Sequence, residues 1–98
     1  MKINHETYYI VRCDRAGVYF GHITEANGSE VTLTNVRNIW RWRGASALPQ
    51  LAVEGVKYPN DCRFTQTVAE ITLLNAIEIL PCSDRAVESI KGVSEWKA

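Results

Sequence analysis

The sequence predicts a mainly β domain of the α+β class: a strongly bent antiparallel sheet, or a small SH3-like barrel. One short helix is expected after the third strand and another near the C-terminal end. Three observations carry this expectation. Runs rich in β-branched and aromatic residues dominate the first forty positions. Asn27-Gly28 stands between two of those runs as a hairpin signal. Gly21 interrupts a strand pattern, where a bulge or sharp bend would curl the sheet.

The elements follow in order. Residues 7–13 form the first strand, and Asp14-Arg15-Ala16-Gly17 is a turn. Residues 18–26 and 30–36 are the arms of the hairpin, with Asn27 and Gly28 as the central pair of a type I′ turn, both at φ > 0. Residues 37–43 are expected to extend the third strand. Ser46 caps a short helix whose first turn holds Pro49, with Leu48, Leu51 and Ala52 on its inner side and Gly55 just past its end. Residues 56–64 read as a loop turning at Pro59-Asn60-Asp61. Residues 67–81 are apolar and β-rich, broken by a kink or bulge at Asn75 and stopped by Pro81. Ser83 or Asp84 caps the last helix, over about residues 84–92, with Ala86, Val87 and Ile90 facing inward. Trp96 folds back over apolar surface.

Ninety-eight residues make one domain, spanning 1–98. A chain of this size supports one modest core, so a binding site is expected to be shallow or built between subunits. The 46% hydrophobic and 22% charged fractions are those of a globular protein. Eleven basic residues balance eleven acidic ones, which disfavours duplex nucleic acid as a partner, since phosphate neutralisation needs a cationic excess. Residues 1–43 carry six Lys/Arg and four Asp/Glu; residues 44–98 carry five and seven. The split would suit self-association of complementary faces, or reflect two ordinary flanks. Cys13, Cys62 and Cys82 are widely spaced, with no Cys/His cluster, so neither a metal nor another cofactor is expected. Free thiols in a reducing compartment are the economical reading. No run approaches the ~20 apolar residues of a membrane span, and the N-terminal residues lack a signal-type apolar core.

Enzyme signatures are missing. There is no Walker loop, no G-x-G-x-x-G, no H-E-x-x-H and no G-x-S-x-G, and the carboxylates are scattered singly. His22 reads as a structural histidine, and no catalytic residue is assigned. What breaks the bland pattern is Arg37-Asn38-Ile39-Trp40-Arg41-Trp42-Arg43. Guanidinium forks bind phosphate oxygens bidentately, and indole faces stack on nucleobases. Arg37, Trp40, Arg41, Trp42 and Arg43 are therefore candidate contacts for an anionic, planar ligand. Ser46 adds the backbone N–H groups of a helix start, and Arg85 the first turn of the last helix. The plainer alternative stays open: both tryptophans belong to the core, and the arginines form an exposed strand face that discourages edge pairing. Strand alternation also places Trp40 and Trp42 opposite Arg37, Arg41 and Arg43, unless a bulge intervenes.

The stretch from Asn35 to Val56, with its Trp40-Arg41-Trp42-Arg43-Gly44-Ala45 segment, resembles a family of small phage and prophage proteins. So does Ala76-Ile77-Glu78-Ile79-Leu80-Pro81-Cys82, followed by a helix and a terminal Trp. The likeness is to the first Thoeris anti-defence family. It implies a non-enzymatic sponge that sequesters glycocyclic ADP-ribose, and in some members cyclic oligonucleotides at a separate site. It also implies homo-oligomers built from dimers, up to a hexamer, with sites at subunit boundaries, in the cytoplasm of the infected bacterial host. A small-barrel protein-interaction module is the rival expectation from another class, followed by a single-strand nucleic-acid binder and, last, a weak hydrolase.

Overall fold

The computed structural model describes residues 1–97. Six strands and two helices follow in the order β1 (Tyr8–Cys13), β2 (Gly17–Asn27), β3 (Glu30–Arg41), α1 (Leu48–Glu54), β4 (Arg63–Phe64), β5 (Val68–Leu73), β6 (Ala76–Pro81) and α2 (Asp84–Lys91), with one 3₁₀ turn at Pro59–Asp61 before β4. All strand pairings are antiparallel: β1 with β2 and β6, and β3 with β2, β4 and β5. β5 and β6 thus lie at opposite edges of one open sheet, yet only Leu74 and Asn75 separate them in sequence. Such a short link demands strong bending, and it bears out the bent antiparallel sheet with two helices.

The bend is built into the β2–β3 pairing. Phe20 faces Arg37 and His22 faces Thr34, so Gly21 spans two residues of β3, and Asn35 takes φ 48°. A Cβ on Gly21 would lie 2.9 Å from the Thr34 carbonyl oxygen. Only glycine lets the two backbones approach so closely. The hairpin turn differs from expectation. Asn27 pairs with Glu30, which leaves Gly28-Ser29 as the two-residue loop, and Gly28 alone of the turn residues has positive φ, 58°. Glycine at the first central position is the mark of a type II′ turn, not I′.

The curled sheet divides the interior in two. Tyr9, Val11 and Cys13 of β1 join Ile23, Val31, Leu33, Val36 and Leu73 inside the curl. Ile10, Phe20, Ile39 and Phe64 face the other way, against Leu51 and Ala52 of α1 and Ile90 of α2. β1 is therefore covered on both sides, which is why residues 8–13 read as a nearly unbroken apolar run.

Two boundary expectations are corrected. Ser46 does not cap α1. Ala47 holds that position with no side-chain cap, while the Ser46 amide and hydroxyl both donate to Gln50 Oε1 at 2.8 Å. The loop expected over residues 56–64 contains the 3₁₀ turn and the two-residue strand β4. At α2 the expectation holds: Ser83 Oγ accepts from Ala86 N at 3.1 Å, and Ala86 and Ile90 are buried. Among the described residues, no helix is long and apolar enough to cross a membrane.

Candidate ligand platform

The end of β3 decides where the Arg/Trp segment points. Ile39 pairs with Phe64 but Arg41 pairs with Arg63, so one extra β3 residue, Trp40, intrudes between the two pairs. In an unbroken strand, Ile39 inside would put Arg41 inside as well. The shifted register instead leaves Trp40 55% exposed and Arg41 on the surface, while Ile39 stays buried. Both side chains are thereby left on the surface.

The C-terminal segment completes the surface. Glu95 bridges to Phe64, and Trp96 N donates to the Phe64 carbonyl at 2.8 Å. That places the Trp96 ring 4.8 Å from Trp40, inclined by 21°. Arg63 lies across the pair, its guanidinium carbon 5.6 Å from the Trp40 centroid and 5.4 Å from that of Trp96. Arg41, Arg43, Arg63 and Trp96 then line a hollow of about 280 Å³, together with Asp61. Three guanidinium groups against one carboxylate leave it cationic. Arg43 is partly committed, donating to Asp61 Oδ2 at 3.0 Å and lying over Tyr58. The Arg41 side chain has no hydrogen bond or ion pair among the described residues, and the Arg63 side chain no ion pair.

The other expected site residues fall elsewhere. Arg37 is a correction: it is 4% exposed and donates to four carbonyls, those of Thr65, Ile90, Val93 and Phe64, at 2.9–3.2 Å. Burial pulls its pKa below the ordinary value, and Glu95 opposes that shift. Arg37 is a staple joining β3, β4 and the end of α2, and it does not touch the platform. Trp42 is half-buried against the helix-side core, so its ring is mostly spent on packing. Ser46 is tied to Gln50, and α1 is only seven residues long. Arg85 lines a separate hollow of about 120 Å³ beside Gln50, Glu54 and Lys57. Asp84 puts a carboxylate in the first turn of α2, and Ser83 already occupies an N–H there, so the expected phosphate seat at that helix start is poorly made.

Residue-by-residue reading missed Arg63 and the partnership of Trp96 with Trp40. A two-residue strand has no periodicity to detect. The one available hint was Arg63-Phe64 as a polar–apolar alternation beside a tight turn.

Neither histidine sits in an acid–base arrangement. His22 Nδ1 lies 3.0 Å from the Thr7 carbonyl and His5 Nδ1 3.1 Å from that of Ile23. A carbonyl only accepts, so each Nδ1 carries the proton. Among the described residues, no group of three or more His, Cys, Asp or Glu side chains is placed to hold a metal ion. Burial pushes all three thiols up, Cys82 to about 12.

Fold and site together define a small, bent-sheet β domain with an exposed aromatic and guanidinium platform. Within that class, the chain belongs to the DUF6948 family, a domain of unknown function whose model matches residues 6–90. The match takes in Trp40, Arg41, Arg43 and Arg63 and ends before Trp96. No curated protein and no solved structure matches the chain.

Proposed function

We propose that this protein binds a phosphorylated nucleotide on the Trp40–Trp96–Arg63 platform and sequesters it without breaking its bonds. In this reading it is a phage anti-defence sponge for immune signalling nucleotides, glycocyclic ADP-ribose first among them, acting in the cytoplasm of the infected bacterial host. The observation that carries the proposal is the placement of Arg63 over both indoles beside the unpaired Arg41. Flat apolar faces and free guanidinium forks are what a base and its phosphates need.

The energetics are adequate. A nanomolar complex requires about −12 kcal/mol. Base–aromatic stacks contribute about 1–3 kcal/mol each, and charge-assisted hydrogen bonds about 1.5–3. The hollow of about 280 Å³ lies just below the ~300–1,000 Å³ typical of drug-sized ligands. One chain therefore encloses only part of a signalling nucleotide, and a second copy of the chain supplies the rest. That supports the homo-oligomer implied by the family resemblance.

The exposed indole pair with its arginine favours one rival reading, a protein-interaction module, because Trp and Arg are the residues enriched at interface hot spots. One experiment separates the two readings. The purified protein is mixed with glycocyclic ADP-ribose, washed, heated, and the released small molecules are identified by mass spectrometry. Stoichiometric recovery of intact nucleotide supports the sponge. Recovery of hydrolysed product, or of no nucleotide at all, overturns it, and the latter outcome leaves the interaction module.

A further inference from the structure

We infer that the hollow over Phe20 and Arg37 is a second binding site, for a small oxyanion carried on a flat ring. It is formed without any residue of the Trp40–Trp96 platform.

Tyr8, Phe20, Asn35, Arg37, Thr67 and Lys91 line this hollow of about 250 Å³. The lining holds two cations and no carboxylate. Arg37 is the floor cation, and its environment is unusual for a buried charge. Buried ions are ordinarily paired with an opposite charge, whereas Arg37 has no ion pair among the described residues: it meets four main-chain carbonyls and the Phe64 ring, 5.3 Å away, with the Glu95 carboxylate acting on it only at longer range. The Ile90 and Val93 carbonyls, at the C-terminal end of α2, carry partial negative charge, which offsets the guanidinium in part. A guanidinium has five N–H donors. Nε gives one to Thr65, Nη1 gives two to Ile90 and Val93, and Nη2 gives one to Phe64. One Nη2 donor is left to offer to the hollow.

One wall is aromatic. Tyr8 lies flat on Phe20, centroids 4.7 Å apart and inclined by 10°, with the His22 ring 3.8 Å from Tyr8 and inclined by 39°, and Lys91 Nζ stands 5.1 Å from the Tyr8 centroid. Asn35 and Thr67 bring an amide and a hydroxyl to the rim. Neither side chain hydrogen-bonds to the protein among the described residues. The glycine-21 bulge, with Asn35 at φ 48°, is what sets Asn35 at this rim. The volume is below that of sites for drug-sized ligands. One ring bearing one carboxylate or phosphate group fits it; a dinucleotide does not.

The test is a chemical-shift titration of isotopically labelled protein with phenyl phosphate, benzoate and inorganic phosphate. Phenyl phosphate or benzoate should move the amides of Asn35, Thr67 and Lys91, and inorganic phosphate should move them less. Comparing the two ring ligands identifies which oxyanion the site prefers. Lys91→Gln should weaken the interaction tenfold or more, Thr67→Val should weaken it less, and Arg41→Ala should leave it unchanged. No shift at these amides, equal binding by inorganic phosphate, or wild-type affinity in Lys91→Gln would overturn the inference. Since Arg41→Ala removes a platform residue only, failure here and failure of the nucleotide reading are told apart.

Discussion

The indole of Trp96 stacks on that of Trp40 at a centroid distance of 4.8 Å, although the two come from different ends of the chain. Stacked indoles couple their transitions, so the wild-type protein should show a tryptophan exciton couplet in circular dichroism. Trp40→Ala and Trp96→Ala should each abolish it while the remaining spectrum keeps its β character. A couplet that survives Trp96→Ala would place the Trp96 ring elsewhere.

Arg37 holds the frame on which that stack depends. Its carbonyl partners lie on β4, on the segment after it, and at the end of α2. Hydrogen bonds to a charged group contribute about 1.5–3 kcal/mol each, and their sum is not additive. Arg37→Met should therefore destabilise the fold by at least ~3 kcal/mol, measured by urea unfolding, and should weaken the exciton couplet as well. A variant as stable as the wild type would mean the carbonyls find other donors.

Leu51 is fully buried between α1 and the sheet. Leu51→Ala should cost about 2–5 kcal/mol, the range for truncating a buried leucine. An unchanged urea midpoint would show that Leu51 does not pack between α1 and the sheet.

The three thiols give stability a pH dependence. Burial raises each of them above the ordinary 9.0, Cys82 to about 12. In the unfolded chain they ionise near that ordinary value, while the folded state still holds the protons. Stability from this source is full below that point and falls as pH rises toward the folded values. The urea midpoint should drop between pH 7 and pH 10, and drop less in Cys82→Ala. Alkylation of the native protein at pH 7.5 should be slow, because thiolate is scarce. Rapid labelling of Cys82 at that pH would contradict the account.

Much of the fold was legible because it rests on local chemistry. Gly21 announced the bend, Asn75 the break between β5 and β6, and Ser83 the start of α2. The Asn27-Gly28 pair announced the hairpin but not its turn, because the register of β2 against β3 chose Gly28-Ser29 as the loop. The site was half legible. Residue type marked Trp40, Arg41 and Arg43 as suited to a nucleotide, yet alternation set the arginines against the tryptophans. A register shift at Trp40 resolves that conflict, and it depends on β4, two residues that carry no pattern. Arg37 lies away from the platform for a related reason. An arginine buried under four main-chain carbonyls looks no different in sequence from one on an exposed strand face.

The central claim is that guanidinium and indole groups on one surface grip a nucleotide, and calorimetric titration with glycocyclic ADP-ribose tests it most directly. The wild-type chain should bind tightly, Arg41→Ala and Trp96→Ala should each weaken binding tenfold or more, and neither should lower the urea midpoint by more than ~1 kcal/mol equivalent, as expected for exposed positions. No binding by the wild-type protein, or wild-type affinity in both variants, would contradict the account.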